Sequence, residues 1–128
     1  MSKRTLFSII ESPLHPNLTA LFARLGFDEV QLTSTRKAIS ALKKQVPDVV
    51  VADFIYGFSN NYSGVHISNL DVLLMSMQKF APQAEVIVLA TAPEMAYAEK
   101  MHDIFPVKAI LPFSVAEQEL EALLGGVE

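Results

Sequence analysis

Apolar positions along this chain alternate between two patterns, short unbroken runs and stripes spaced three and four residues apart. Runs rich in β-branched and aromatic residues predict buried strands, and the stripes predict one face of a helix. Thr5–Ile10 (TLFSII) is the first such run. Leu18, Leu21, Phe22 and Leu25 then form a helical stripe that Gly26 stops. Glu29–Thr33 alternates and predicts a second strand nearer an edge. In TRKAISALKKQV, Ile39, Leu42 and Val46 make the next stripe, and Pro47 ends that helix. DVVVADF, 48–54, is the third strand, and its continuous apolar character predicts burial on both faces.

A long polar stretch, Gly57–Ser68, precedes the helix NLDVLLMSMQKF, which carries Leu70, Leu73, Leu74 and Met77 inward and stops at Pro82. Glu85–Ala90 is the fourth strand. PEMAYAEKMHDIF predicts a continuous helix with Ala98, Met101 and Phe105 inward. Val107–Leu111 is the fifth strand, and SVAE opens the last helix, with Ser114 and Glu117 spaced as a capping box. Ala116, Leu120, Leu123 and Leu124 face in, and Gly125 ends it.

Strands alternating with helices predict an α/β fold with a parallel sheet covered on both faces. With five repeats, the expectation is a flavodoxin-like (βα)5 three-layer sandwich of strand order 2-1-3-4-5. Right-handed crossovers then put helices one and five on one face and helices two, three and four on the other. Residues 1–128 read as a single domain without linker or repeat.

Composition narrows the function classes. Hydrophobic residues make up 51% and charged residues 19% with mean hydropathy +0.32, which excludes the disorder profile of low hydrophobicity and high charge. The net charge of −4 lacks the basic footprint of a nucleic-acid binder. With no cysteine there is no disulfide scaffold, thiolate nucleophile or Cys-based zinc site. The N-terminal apolar run is broken at Glu11, too early for a signal peptide, and no stretch has membrane-spanning length. A cytoplasmic protein bound to neither membrane nor nucleic acid is the expectation.

The candidate chemistry lies where strands one and three end. In the expected order these strands are neighbours at the switch point, where ligands bind outside the carboxyl ends. Glu11 closes strand one and Asp53 closes strand three, so two carboxylates are expected at one rim. Two readings stand side by side. The pair can hold a hard cation such as Mg²⁺, with Asp53 as a nucleophile toward phosphorus. Alternatively, Asp53 simply accepts hydrogen bonds from loop N–H groups, and Glu11 points into solvent.

With PDVVVADF ending strand three, EVIVLATA at strand four and AILPF at strand five, the chain resembles the receiver domains of two-component response regulators over nearly its whole length. The resemblance implies Asp53 as phosphoacceptor and Glu11 with Asp53 as Mg²⁺ ligands. It also implies degeneracy. Ser12 stands where a second acid is expected, Ala90 where a Ser or Thr is expected, and Leu111 where a Lys is expected. Thr91, one residue past Ala90, reads instead as a helix cap with Glu94. Lys108 lies at an odd offset from Leu111 and takes the place of the family's switch aromatic. The family's Lys–Pro bond is commonly cis, which carries a cis expectation to Leu111–Pro112.

Tyr97, Met101 and Lys108 form a possible interaction surface, and the resemblance implies a homodimer through helix four, strand five and helix five. Tyr62 and His66 in the polar stretch are partner contacts or solvated residues. His15, His66 and His102 show no metal-ligand spacing, and the basic helix-two residues Arg36, Lys37, Lys43 and Lys44 read as a solvated face. No phosphate-binding glycine loop is present, and SPLHPNL disfavours FMN. Three functions follow in order. The first is a non-enzymatic pseudo-receiver acting through contacts with a histidine kinase, an output protein or itself, with weak or absent phosphorylation and no required cofactor. The second is an atypical phosphoreceiver using Asp53. The third is a small-molecule module at the same rim.

Overall fold

The computed structural model describes residues 4–56 and 68–125. Strands β1 (Arg4–Ile9), β2 (Phe27–Leu32), β3 (Val49–Asp53), β4 (Glu85–Ala90) and β5 (Ala109–Pro112) form one parallel sheet of order β2-β1-β3-β4-β5. Helices α1 (Thr19–Arg24), α2 (Thr35–Leu42), α3 (Asp71–Phe80), α4 (Met95–Ala98) and α5 (Glu117–Gly125) lie between and after the strands. This is the flavodoxin-like arrangement that the alternation of periods predicts.

Period-two alternation along β3 splits the core into two layers. Val50 and Ala52 pack with Phe7, Leu42, Leu74 and Met101 on the α2–α3–α4 side. Val49 and Val51 pack with Phe22, Leu89, Leu111 and Leu120 on the α1–α5 side. All five β3 residues are buried, including Asp53. Helices one and five therefore share one face, and helices two to four share the other, as right-handed crossovers require.

Local chemistry sets most boundaries. Gly26, at φ +89°, reverses the chain after α1 in the left-handed region that a side chain disfavours. Ser34 caps α2 by accepting from Lys37 N–H at 3.1 Å. Before α3, Ser68 and Asp71 brace the chain's entry into the helix. Asp71 Oδ1 accepts from Ser68 N–H and Oγ–H, while Ser68 Oγ accepts from Leu70 N–H.

Several expectations need correction. α2 stops at Leu42, so Val46 leaves the apolar stripe and is exposed. The stretch expected as one helix over 93–105 is a 3₁₀ turn (Ala92–Glu94), the short α4, and a second 3₁₀ stretch (Glu99–Asp103). Thr91 caps by its carbonyl, which accepts from Glu94 N–H at 3.0 Å, and not by its hydroxyl. α5 begins at Glu117, with Ala116 carbonyl accepting from Leu120 N–H, so Ser114 lies too early to be its cap. No peptide bond among the described residues is cis, so Leu111–Pro112 is trans, the lower-energy isomer. Tyr62, His66 and the other residues 57–67 of the polar stretch lie outside the described residues.

Candidate functional site

The site grows out of the turn after β1. Ser12-Pro13-Leu14-His15 is a β-turn, closed by His15 N–H donating to Ser12 carbonyl at 3.1 Å. Pro at the second position presets the turn's φ, and Ser12 Oγ braces it by accepting from Leu14 N–H at 3.0 Å. Ser12 therefore works on the turn. Its consequence is to fold the chain back so that His15 lies over the end of β3.

There His15 Nδ1 stands 2.8 Å from Asp53 Oδ1, with the imidazole 7% and the carboxylate 0% exposed. An ionised carboxylate only accepts, so Nδ1 carries the proton in this contact. The other oxygen, Asp53 Oδ2, accepts from Glu11 N–H and Ser12 N–H, both at 3.0 Å. A carboxylate oxygen offers about two lone-pair directions. Oδ2 is thus filled, and the one oxygen with capacity left, Oδ1, is covered by the imidazole.

Glu11 is turned away from this cluster. Its Oε2 accepts from Thr35 N–H at 3.1 Å, at the first residue of α2, where the helix dipole favours a negative charge. Its Oε1 accepts from Asn69 Nδ2. Asn69, 4% exposed, also donates to Asp53 carbonyl at 2.8 Å and accepts from Ile55 N–H at 2.8 Å. This buried amide ties β1, β3 and the approach to α3 together.

Glu11 and Asp53 do meet at one rim, but the contact runs through the Glu11 main chain. The residues in this arrangement do not fit Mg²⁺. That ion needs oxygen ligands and keeps several waters. Asp53 has no exposed surface, and both Glu11 oxygens are engaged elsewhere. Among the described residues, no group of three or more His, Asp or Glu is disposed to hold a metal ion. The two carboxylates draw on separate hydrogen-bond sets.

Ala90 and Leu111, where the resemblance implies other residues, lie in opposite layers of the core. Asp53 pairs in register with Leu89, and Leu89 with Leu111, so Leu111 shares the Asp53 face two strands away. It packs in the apolar α1–α5 layer and supplies no charge to the rim. Ala90 is fully buried in the opposite layer. Lys108 is held near the other end of the sheet, donating to Glu85 Oε1 at 3.3 Å and to Leu123 carbonyl at 2.7 Å.

Of the three residues of the expected interaction surface, Tyr97 and Lys108 are exposed and Met101 is not. Met101 is fully buried and its sulfur accepts from Ser68 Oγ–H, so it belongs to the core. Lys108 stays exposed while its ammonium donates to Glu85 on β4 and to the Leu123 carbonyl on α5. Tyr97 is 41% exposed and stacks on Tyr56, itself 45% exposed, with ring centroids 4.1 Å apart. Tyr56 also bridges to Ser68, so the aromatic pair sits just beyond β3.

His15 and Asn69 were missed in the sequence. A lone histidine in a loop has no periodicity to mark it. The readable signal was Ser12-Pro13, a turn start three residues before an imidazole at the strand-one rim.

No family model matches the sequence, and no curated protein matches it. Solved structures do match its fold. A response regulator receiver domain protein from Clostridium thermocellum superposes with TM-score 0.70 at 19% identity, covering 96% of this chain and 92% of its own. A DNA-binding response regulator of the LuxR family from Staphylococcus aureus gives TM-score 0.70 at 18% identity, over 96% and 97% of the two chains. The receiver domain of a sensor histidine kinase from Pseudomonas aeruginosa, which has a magnesium ion coordinated in its active site cleft, gives 0.69 at 14% identity, over 96% and 95%. The fold is that of response regulator receiver domains.

Proposed function

We propose that this chain is a receiver-like module of a two-component or phosphorelay-type system that signals through protein contacts and does not depend on phosphorylation of Asp53. The observation that carries this reading is the closed state of Asp53. Its carboxylate is fully buried and accepts from two loop N–H groups and from His15. In this reading Asp53 anchors the turn after β1. A phosphoryl group would bring a charge of about −2 into that space, and Leu111 gives no lysine to meet it. Loss of such a fixed cation removes about 3 kcal/mol of electrostatic stabilisation, by analogy with a lost oxyanion donor.

A non-enzymatic role is part of this reading. Asp53 and His15 form an oriented carboxylate–imidazole pair, but the neighbouring hydroxyl, Ser12 Oγ, accepts a hydrogen bond from Leu14 N–H and holds its own turn. The exposed Tyr56–Tyr97 pair is the proposed contact surface for a histidine kinase, an output protein or a second copy. Intact-mass measurement after incubation with acetyl phosphate and Mg²⁺ tests the reading. The unaltered chain is expected to stay almost entirely unmodified. Rapid, near-complete phosphorylation, abolished in Asp53→Asn, would establish an atypical phosphoreceiver in its place.

A further inference from the structure

We infer that His15 is an autoinhibitory plug on Asp53: its imidazole closes the only carboxylate oxygen able to act as a nucleophile, and the turn that carries it can withdraw it. The inference rests on the reading above, in which Asp53 stands at the acceptor position of a receiver-like rim.

The geometry assigns the two oxygens different fates. Oδ2 is filled by the N–H groups of Glu11 and Ser12, which belong to the chain immediately after β1. Oδ1 has one of its two lone-pair directions taken by His15 Nδ1 at 2.8 Å, and the carboxylate has no exposed surface. An acyl phosphate donor must bring its phosphorus onto Oδ1. The new P–O bond to Oδ1 then forms as the P–O bond to acetate breaks, and acetate leaves with the electron pair. The imidazole occupies the space this approach requires.

The plug sits beside open space. It hangs on a four-residue turn whose tip, Pro13 and Leu14, is exposed, Leu14 by 58%. His15 lines a cleft of about 420 Å³ together with Ile10, Asn17, Thr19, Glu29 and Gln31. That cleft gives the ring a polar place to go. Glu29 and Gln31 stand on β2, where Glu29 Oε2 accepts from Ser8 Oγ–H at 2.6 Å and Gln31 Nε2 donates to Thr19 Oγ1 at 3.1 Å, so the ring would share these groups without displacing a sheet contact. His15 leaving Asp53 thus costs one charge-assisted hydrogen bond and leaves the anchor on Oδ2 intact.

A contrary role is equally concrete. A protonated His15 near Oδ1 would supply the positive charge that Leu111 does not, and would assist phosphorylation. The two roles predict opposite effects of shortening the side chain. The test compares His15→Ala and His15→Asn, each with and without Asp53→Asn, after confirmation of folding by circular dichroism. Each is incubated with acetyl phosphate, with and without Mg²⁺, and followed by intact mass and peptide mapping. Both shortened variants are expected to gain one phosphoryl at Asp53 about tenfold or more faster than the unaltered chain. That is the factor by which one hydrogen bond to a charged group favours the closed form. The Asp53→Asn partners gain none. Labelling no faster than in the unaltered chain, or slower, overturns the plug. Rapid labelling of the unaltered chain overturns the phosphorylation-independent reading and the plug together, whereas slow labelling of every variant overturns the plug alone, so the two failures are distinct.

Discussion

Replacing Asp53 with alanine separates an anchor from an ordinary acceptor. Where a carboxylate is crowded by other acids, removing it relieves repulsion and stabilises the fold. Here the carboxylate accepts from Glu11 N–H, Ser12 N–H and His15 Nδ1 and has no exposed surface. Asp53→Ala leaves three donors without an acceptor, each costing roughly 1–3 kcal/mol if it stays dry. Removing the buried charge returns part of that through desolvation. The net loss expected for breaking such a buried pair is about 3–5 kcal/mol. A domain of this size has only about 5–15 kcal/mol in all. With a urea m-value of about 2 kcal/mol/M, the midpoint should fall by roughly 2 M. Asp53→Asn keeps one acceptor oxygen for the two backbone donors and should cost only about 1–2 kcal/mol. Urea titrations followed by far-ultraviolet circular dichroism give both numbers. Unchanged or raised midpoints in both variants would refute the anchoring argument.

Other consequences follow from particular contacts. Asn69→Ala removes the amide that joins Glu11, Asp53 and Ile55, and should lower stability by about 2–3 kcal/mol in the same titration. Met101→Ala should cost about 2–4 kcal/mol, because its side chain is fully buried; a loss below about 0.5 kcal/mol would return it to the surface. A double-mutant cycle on Tyr56→Ala and Tyr97→Ala should give a coupling of about 0.5–1.5 kcal/mol, the worth of an aromatic pair, and zero coupling would dissolve the stack.

The architecture was legible because its signals are local and repeated. The run Val49–Asp53 is buried on both faces, and the stripe Leu70–Met77 marks a helix without reference to the rest of the chain. Alternation of the two then fixes which strand ends converge, and so brought Glu11 and Asp53 to one rim. The region after β4 was harder. Its residues favour α-helix, yet Ala98, Met101 and Phe105 are buried from a segment that is largely 3₁₀. Packing overrides propensity there.

The site's chemistry was legible only in part. The bland alternative for Asp53, acceptance of loop N–H groups, is what two of its hydrogen bonds do. The third, to His15, joins residues 38 apart in sequence through a turn whose direction no periodicity encodes. Glu11 was placed correctly at the rim, but its carboxylate follows the α2 N-terminus and Asn69, partners that strand order does not reveal.

The closed state of Asp53 is tested most directly by NMR of the imidazole nitrogens in the unaltered protein. With three histidines in the chain, His15→Gln assigns the His15 signals. A slowly exchanging Nδ1 proton on His15, lost in Asp53→Asn, is the result predicted. A His15 ring whose protons exchange freely and whose signals do not respond to Asp53→Asn would contradict it.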